Sequence, residues 1–261
     1  MNCKICNSPT SSMSQALILG KFSVEFFHCC RCGFVQTESP YWLQEAYSEA
    51  IATSDVGLVG RNISLSKTTH AIISTMFDRD GKFLDWGGGY GLFVRLMRNE
   101  GFDFFRYDKY CPNIFASGLD IDLEEKNPDF ELITAFEVFE HLGNPMDELK
   151  NMLNASKTIL FSTLLVPDNP PPLDKWWYYS LETGQHVSFY SLKSLQIMAR
   201  EFRLNLYSNG SGLHMLTVKR IPQFFFNMVS KQKVGSLLRL INKRLSLTGV
   251  DYTRITGKTC E

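Results

Sequence analysis

The sequence predicts an α/β fold, a doubly wound and mostly parallel sheet, with a small N-terminal metal-knuckle module. Three observations carry this expectation. From residue 82 to about 219, short apolar runs alternate with helical segments, which is how parallel sheets are built from strand–helix–strand units. The first of those runs, Phe83–Trp86, leads directly into the glycine-rich stretch Gly87–Gly91. Five of the seven cysteines fall within the first 32 residues.

Composition sets the outer limits. At 261 residues, 44% hydrophobic and 21% charged, the chain has room for one full α/β domain and something small beside it. Lys+Arg and Asp+Glu are both 27, so no global field steers nucleic acid to the surface, and no nucleic-acid partner is expected. No apolar run reaches the length of a membrane span, and the first thirty residues lack the basic-then-apolar order of a signal peptide. A cytoplasmic, reducing location is therefore expected, in which the sequons at Asn62, Asn154 and Asn209 mean nothing and the cysteines stay unpaired. Nothing in the sequence decides the oligomeric state.

In chain order, short β-like runs stand at Ala16–Leu19 and Ser23–Phe27, and residues 41–77 read as helical. Strands are expected at Phe83–Trp86, Phe104–Tyr107, Leu132–Phe136, Thr158–Leu164, Leu204–Tyr207 and Leu213–Val218. Helices are expected at Gly91–Asn99, Pro145–Asn154 and Ser191–Glu201. Pro167–Pro172 cannot continue either element and opens a long loop that carries Trp176, Trp177, Tyr178 and Tyr179. Residues 221–261 hold seven Lys/Arg against Asp251 and Glu261. In that tail Leu237, Leu238, Ile241 and Leu245 repeat at helical spacing, and a terminal helix docked on its own domain is preferred over a membrane-surface helix. The expected division is 1–40 for the knuckle, 41–220 for the sheet domain and 221–261 for the tail.

The glycine stretch carries chemistry. A strand, then Gly87, Gly89 and Gly91, then a helix, brings backbone close to a ligand and aims free N–H groups at it. Asp108 closes the next strand, where a carboxylate accepts ribose hydroxyls. The dinucleotide pattern needs a glycine where Leu92 stands. Asp85 opens the turn instead, and it would repel a pyrophosphate yet suit a cationic, phosphate-free nucleoside such as S-adenosylmethionine. Gly257-Lys258-Thr259 only mimics a phosphate loop, since Tyr252 occupies the first glycine position.

Cys3-x-x-Cys6 and Cys29-x-x-Cys32 each offer two thiolates through a tight turn, and two such pairs complete a tetrahedral zinc site. With all four positions filled, that zinc would be structural, contributing folding free energy to a segment too short to fold alone. His28 and Cys30 are spare candidates for a ligand position.

Asp85-Trp-Gly87-Gly-Gly89-Tyr-Gly91, Asp108 and the segment Phe136-Glu137-Val-Phe-Glu140-His141-Leu142 resemble the class I S-adenosylmethionine-dependent methyltransferases. The resemblance implies a Rossmann-like domain in which Gly87, Gly89 and Gly91 hold the methionine end of the cofactor. Asp108 would then hold the ribose, and Phe136 and Glu137 would line the reactive sulfonium. With a zinc-ribbon-like knuckle in front, residues 1 to about 220 resemble a bacterial subgroup that includes deoxysugar C-methyltransferases. Those enzymes carry a further C-terminal domain, for which only about forty residues remain here. They also have a Glu-His pair where this chain has Gln185-His186, so O- or N-methylation is expected over C-methylation.

On the acceptor side, a histidine suits the base that removes a hydroxyl proton. His186 is chosen over His28, His70, His141 and His214, because it follows the aromatic loop at the edge where acceptors approach. A histidine bonded into the loop for structure alone is the plain alternative. The expected substrate is a small polar molecule, a sugar or cell-surface polysaccharide precursor. Two rivals are a catalytically silent module that docks a protein through its knuckle, and an RNA or protein methyltransferase.

Overall fold

A computed structural model of the chain describes residues 1–48, 55–123 and 129–259. Residues 49–54 of the stretch expected to be helical, and Glu261 of the tail, lie outside the described residues. The chain forms two compact units. One comprises residues 1–52, 136–153 and 160–220, and the other 53–135, 154–159 and 221–261. The fold is mixed α/β, with a parallel-dominated central sheet and flanking helices.

In the unit built around the glycine turn, β4 (Lys82–Trp86) is flanked in parallel by β5 (Asp103–Tyr107) and β6 (Leu132–Ala135). All four residues of β6 are buried, the signature of a parallel strand covered on both faces. Between β4 and β5 runs α3 (Leu92–Asn99), which buries Phe93, Val94 and Met97 on one stripe. The helix α2 (Leu58–Met76) and the tail helix α7 (Gln232–Ile241) pack together at Gly235, where a side chain would overlap the Lys67 carbonyl. The tail thus docks on its own unit, as expected, but not through the stripe read from the sequence. The helix ends at Ile241, and Leu237, Ile241 and Leu245 all face solvent. A last helix, α8 (Thr248–Thr256), is tied down by Asp251, which bonds Arg98 and Arg95 of α3.

The other unit opens on an antiparallel hairpin, β1 (Ser11–Ile18) with β2 (Phe22–His28), followed by β3 (Val35–Thr37). Here the sequence missed an element. Val35 and Gln36 pair antiparallel with Phe189 and Ser188, a two-residue β8 between the expected loop and the helix expected from Ser191. The N-terminal segment is thereby woven into the same unit as residues 160–220, rather than standing apart. The short α1 (Leu43–Ala46) reinforces this, since the preceding Trp42 donates its indole N–H to the Gly184 carbonyl at 2.7 Å.

Beyond α4 (Pro145–Ala155), β7 (Thr158–Ser162) stops two residues short of the expected Leu164. In this unit β7 is followed across the sheet by β10 (Leu213–Thr217) and then the antiparallel β9 (Asn205–Ser208). The helix α5 (Leu192–Glu201) starts on a capping box in which Ser191 and Ser194 satisfy each other's backbone N–H.

The aromatic loop is mostly core. Tyr178 and Tyr179 are buried against Phe26, Trp176 and Phe189. Only Trp177 of the four is largely exposed, at 75%. Among the described residues no helix is long and apolar enough to cross a membrane.

Candidate functional site

The glycine turn is held from below by its own acids and one arginine. Gly87, Gly89 and Gly91 all have positive φ, at 68°, 52° and 84°, a region that side chains with a Cβ avoid. At Gly91, the residue before α3, a Cβ would also lie 2.8 Å from the Ala116 side chain. The Asp108 carboxylate accepts from Gly89 N at 2.9 Å through Oδ2, and from Tyr110 N and Cys111 N at 2.8 Å each through Oδ1. Three of a carboxylate's roughly four lone-pair directions are therefore occupied. Asp108 has capacity left for one ribose hydroxyl rather than the two expected from the sequence.

Asp85 is almost fully buried and accepts from the Thr134 hydroxyl at 2.6 Å. Burial raises its carboxyl to about 7, so near neutral pH it is poised between its neutral and anionic forms.

Arg106, which sequence reasoning passed over, organises this turn. Its Nε donates to the Gly89 carbonyl at 2.7 Å, and its other nitrogens donate to Asp120 and to the Cys111 carbonyl. The available signal was an arginine inside the apolar strand Asp103–Tyr107, two residues before Asp108.

In the other unit the four predicted knuckle cysteines come together. Cys3 and Cys32 sulfurs are 3.5 Å apart, Cys6 and Cys29 are 3.4 Å apart, and all four lie within 4.8 Å of one another. These gaps are too long for disulfides. They match the roughly 3.8 Å edge of a tetrahedron built on zinc–sulfur bonds of about 2.3 Å. Hydrogen bonding from Cys32 lowers the Cys3 thiol, the same contact raises Cys32, and burial raises Cys29. Cys30 is exposed, its sulfur against Ser11, and His28 is not part of the cluster.

The same unit holds Phe136 and Glu137, expected at the cofactor, and His186, expected at the acceptor. Phe136 and Glu137 follow β6, and Glu137 takes a left-handed backbone, φ 54°, a strained choice for a residue with a side chain. Ser162 fixes it from both sides, accepting from Glu137 N at 2.8 Å and donating to its carboxylate at 2.6 Å.

His186 donates from Nδ1 to the Tyr178 carbonyl at 2.7 Å, and its ring lies edge-on to His141 at 4.8 Å. Burial lowers His186 to about 4, and burial with the neighbouring His186 lowers His141 to about 3. The pKa near working pH that favoured His186 as a base in the sequence is therefore not what this environment produces. Gln185 is a structural residue, its amide donating to the Ala46 carbonyl at 2.8 Å. Glu140, fully buried beside the two histidines, is raised to about 8 by burial and by the charge of Glu137.

Residues 63–209, more than half of the chain, match the family model described as "Methyltransferase domain". Among solved structures, the plantazolicin methyltransferase BpumL in complex with SAH is 11% identical, with 77% of this chain and 90% of that one covered and a TM-score of 0.52. CalO1, a methyltransferase in calicheamicin biosynthesis in its SAH-bound form, is 15% identical, with 67% and 61% covered and a TM-score of 0.45. The mitomycin 7-O-methyltransferase MmcR is 14% identical, with 67% and 60% covered and a TM-score of 0.43. This chain spans about three fifths of the length of the last two. At such identities the likeness is one of fold. No curated protein matches the chain in sequence. On the strength of the family match, the chain belongs to the methyltransferase-domain family.

Proposed function

We propose that the chain methylates a small polar acceptor, a sugar or cell-surface polysaccharide precursor, at oxygen or nitrogen. The observation that supports the reading best is the turn from Asp85 to Gly91, with Asp108 bonded to Gly89 N. The residues present fit the cofactor. Left-handed glycines leave space for a ligand against the backbone, no phosphate-binding lysine is needed, and Asp85 offers a carboxylate to the methionine ammonium. Asp108 takes one ribose hydroxyl. S-adenosylmethionine, when bound, supplies a methyl group already activated by its sulfonium charge, so the protein's task is alignment and removal of the acceptor proton. His186 belongs to the acceptor side, and the four-cysteine cluster holds a structural zinc ion.

The test is calorimetry with S-adenosylmethionine and its demethylated product, beside mass spectrometry of ligand that co-purifies. Binding of either nucleoside in the micromolar range supports the reading, and preference for NAD overturns it. Once an acceptor is found, His186→Ala is expected to lower turnover by roughly 10²–10⁴ with cofactor affinity nearly unchanged. Wild-type turnover in that variant would return His186 to a structural role.

A further inference from the structure

Within the unit that carries the cysteine cluster, Glu140, His141 and His186 bring their lone pairs together. Glu140 is completely buried, and neither carboxylate oxygen has a hydrogen-bond partner. The hydroxyls beside it, Tyr178 and Thr163, bond each other at 3.1 Å and also favour its ionised form, against the larger effects of burial and of the Glu137 charge. His141 contacts the Gln185 carbonyl through Nδ1 at 3.1 Å, and His186 contacts the Tyr178 carbonyl through Nδ1 at 2.7 Å. A carbonyl only accepts, so the His186 Nδ1 carries the ring proton and its Nε2 keeps a lone pair. The His141 Nδ1 also meets the Tyr47 hydroxyl at 2.9 Å, so that ring keeps one nitrogen lone pair whichever nitrogen holds the proton. One ligand atom from each of the three residues lies within 4.8 Å of the others. Leaving a carboxylate buried without a counter-charge is costly, and the cost here falls on Glu140.

We propose that Glu140, His141 and His186 hold one divalent transition-metal ion, distinct from the zinc of the four cysteines. Imidazole nitrogen and a carboxylate are the donor set of open, catalytic sites for zinc, iron or manganese. The carbonyls behind each Nδ1 are the outer partners that orient ligating histidines. The strand-end geometry also fits, since Val187 N donates to the Glu140 carbonyl at 2.8 Å and so ties the segment of His186 to that of Glu140.

Three protein ligands leave at least one coordination position for an oxygen donor. Its natural occupant, on the methyl-transfer reading on which this clause rests, is a hydroxyl of the acceptor, which an ion binds and acidifies. His186 then serves the acceptor through the ion rather than by taking its proton directly.

The experiment uses the full chain, purified with its zinc, and titrates Mn²⁺, a hard ion poorly suited to four thiolates. Calorimetry and the loss of the free-ion electron paramagnetic resonance signal are expected to show one Mn²⁺ per chain, with Co²⁺ competing for it. Glu140→Gln and His186→Asn should each weaken binding at least tenfold, and His28→Asn should leave it unchanged. Far-ultraviolet dichroism and thermal melting of the metal-free variants establish that they are folded. If Glu140→Gln fails that check, His186→Asn carries the test alone.

Failure of Mn²⁺ and Co²⁺ to bind at millimolar concentration, or equal binding by folded variants, overturns the proposal. It would leave Glu140 as a protonated acid donating to a histidine. The two readings fail separately. Methylation undiminished by a chelator, without an ion bound, removes the metal and keeps the methyltransferase. An ion bound as described, with no affinity for S-adenosylmethionine, does the reverse.

Discussion

Asp85 shows how much a single residue's environment decides. Its carboxyl is raised by burial to about 7, against about 3.9 in an unfolded chain. The native state therefore holds a proton that the unfolded state releases between these two values. Stability is fully present below pH 4 and declines as pH rises toward 7, by up to about 4 kcal/mol in all. Asp85→Asn keeps an oxygen for the Thr134 hydroxyl but cannot ionise. Urea denaturation at pH 5 and pH 8 is expected to show a marked fall for the wild type and a much smaller one for the variant. The same variant should bind S-adenosylmethionine more weakly at pH 8 if, as proposed, the Asp85 charge faces the ammonium. Asp108→Ala removes a charged acceptor from three backbone N–H groups. It should lower both the melting temperature and cofactor affinity, the latter by about 1.5–3 kcal/mol for one charge-assisted bond. Unchanged affinity by calorimetry would remove Asp108 from the ribose.

At the scale of elements, the sequence predicted the strands β4, β5, β6 and β10 and the helices α3, α4 and α5 to within a residue or two at either end. Apolar runs of four or five residues are too short for helices, and their alternation with longer helical periods marks them as strands. It did not reveal β8. A two-residue strand such as Ser188–Phe189 has no periodicity to detect and exists only because β3 presents an open edge. The tail misled for a related reason. Leu237, Ile241 and Leu245 repeat as a docked face would, yet the docking of α7 uses Gly235 and that of α8 uses Asp251. Asp251 is 3% exposed and meets the equally buried Arg98. Asp251→Ala leaves that guanidinium only partly paired and is expected to cost about 3–5 kcal/mol. A chemical denaturation midpoint close to wild type would show α8 to be held by other contacts. Gly91→Ala should also destabilise the turn, because the backbone is left-handed there and Ala116 stands in the way.

For the molecule as a whole, the cysteine cluster ties sequence to stability. One zinc per chain is expected by elemental analysis of protein purified without chelator, and protein free of metal would remove the site. Cys29→Ser should release the ion. Because β3 pairs with β8, and the Ser191 hydroxyl donates to the Cys32 carbonyl, the loss should spread through residues 1–48 and 160–220 rather than stop near residue 40. Hydrogen exchange would map that spread, and protection lost only in residues 1–40 would show the knuckle to be independent.

By itself, the sequence determined the α/β class, the glycine turn with its acid and the cysteine set, because each depends on residue types at fixed short spacing. Only the tertiary structure decided which groups meet across long separations. It spent Asp108 on backbone N–H groups, enlisted Arg106 beneath the turn, and moved the histidines away from their ordinary protonation. It also set Glu140 and His141 beside His186, which lies 46 and 45 positions further along the chain. Burial and hydrogen-bond partners are properties of the packed chain, and no local pattern of residues encodes them.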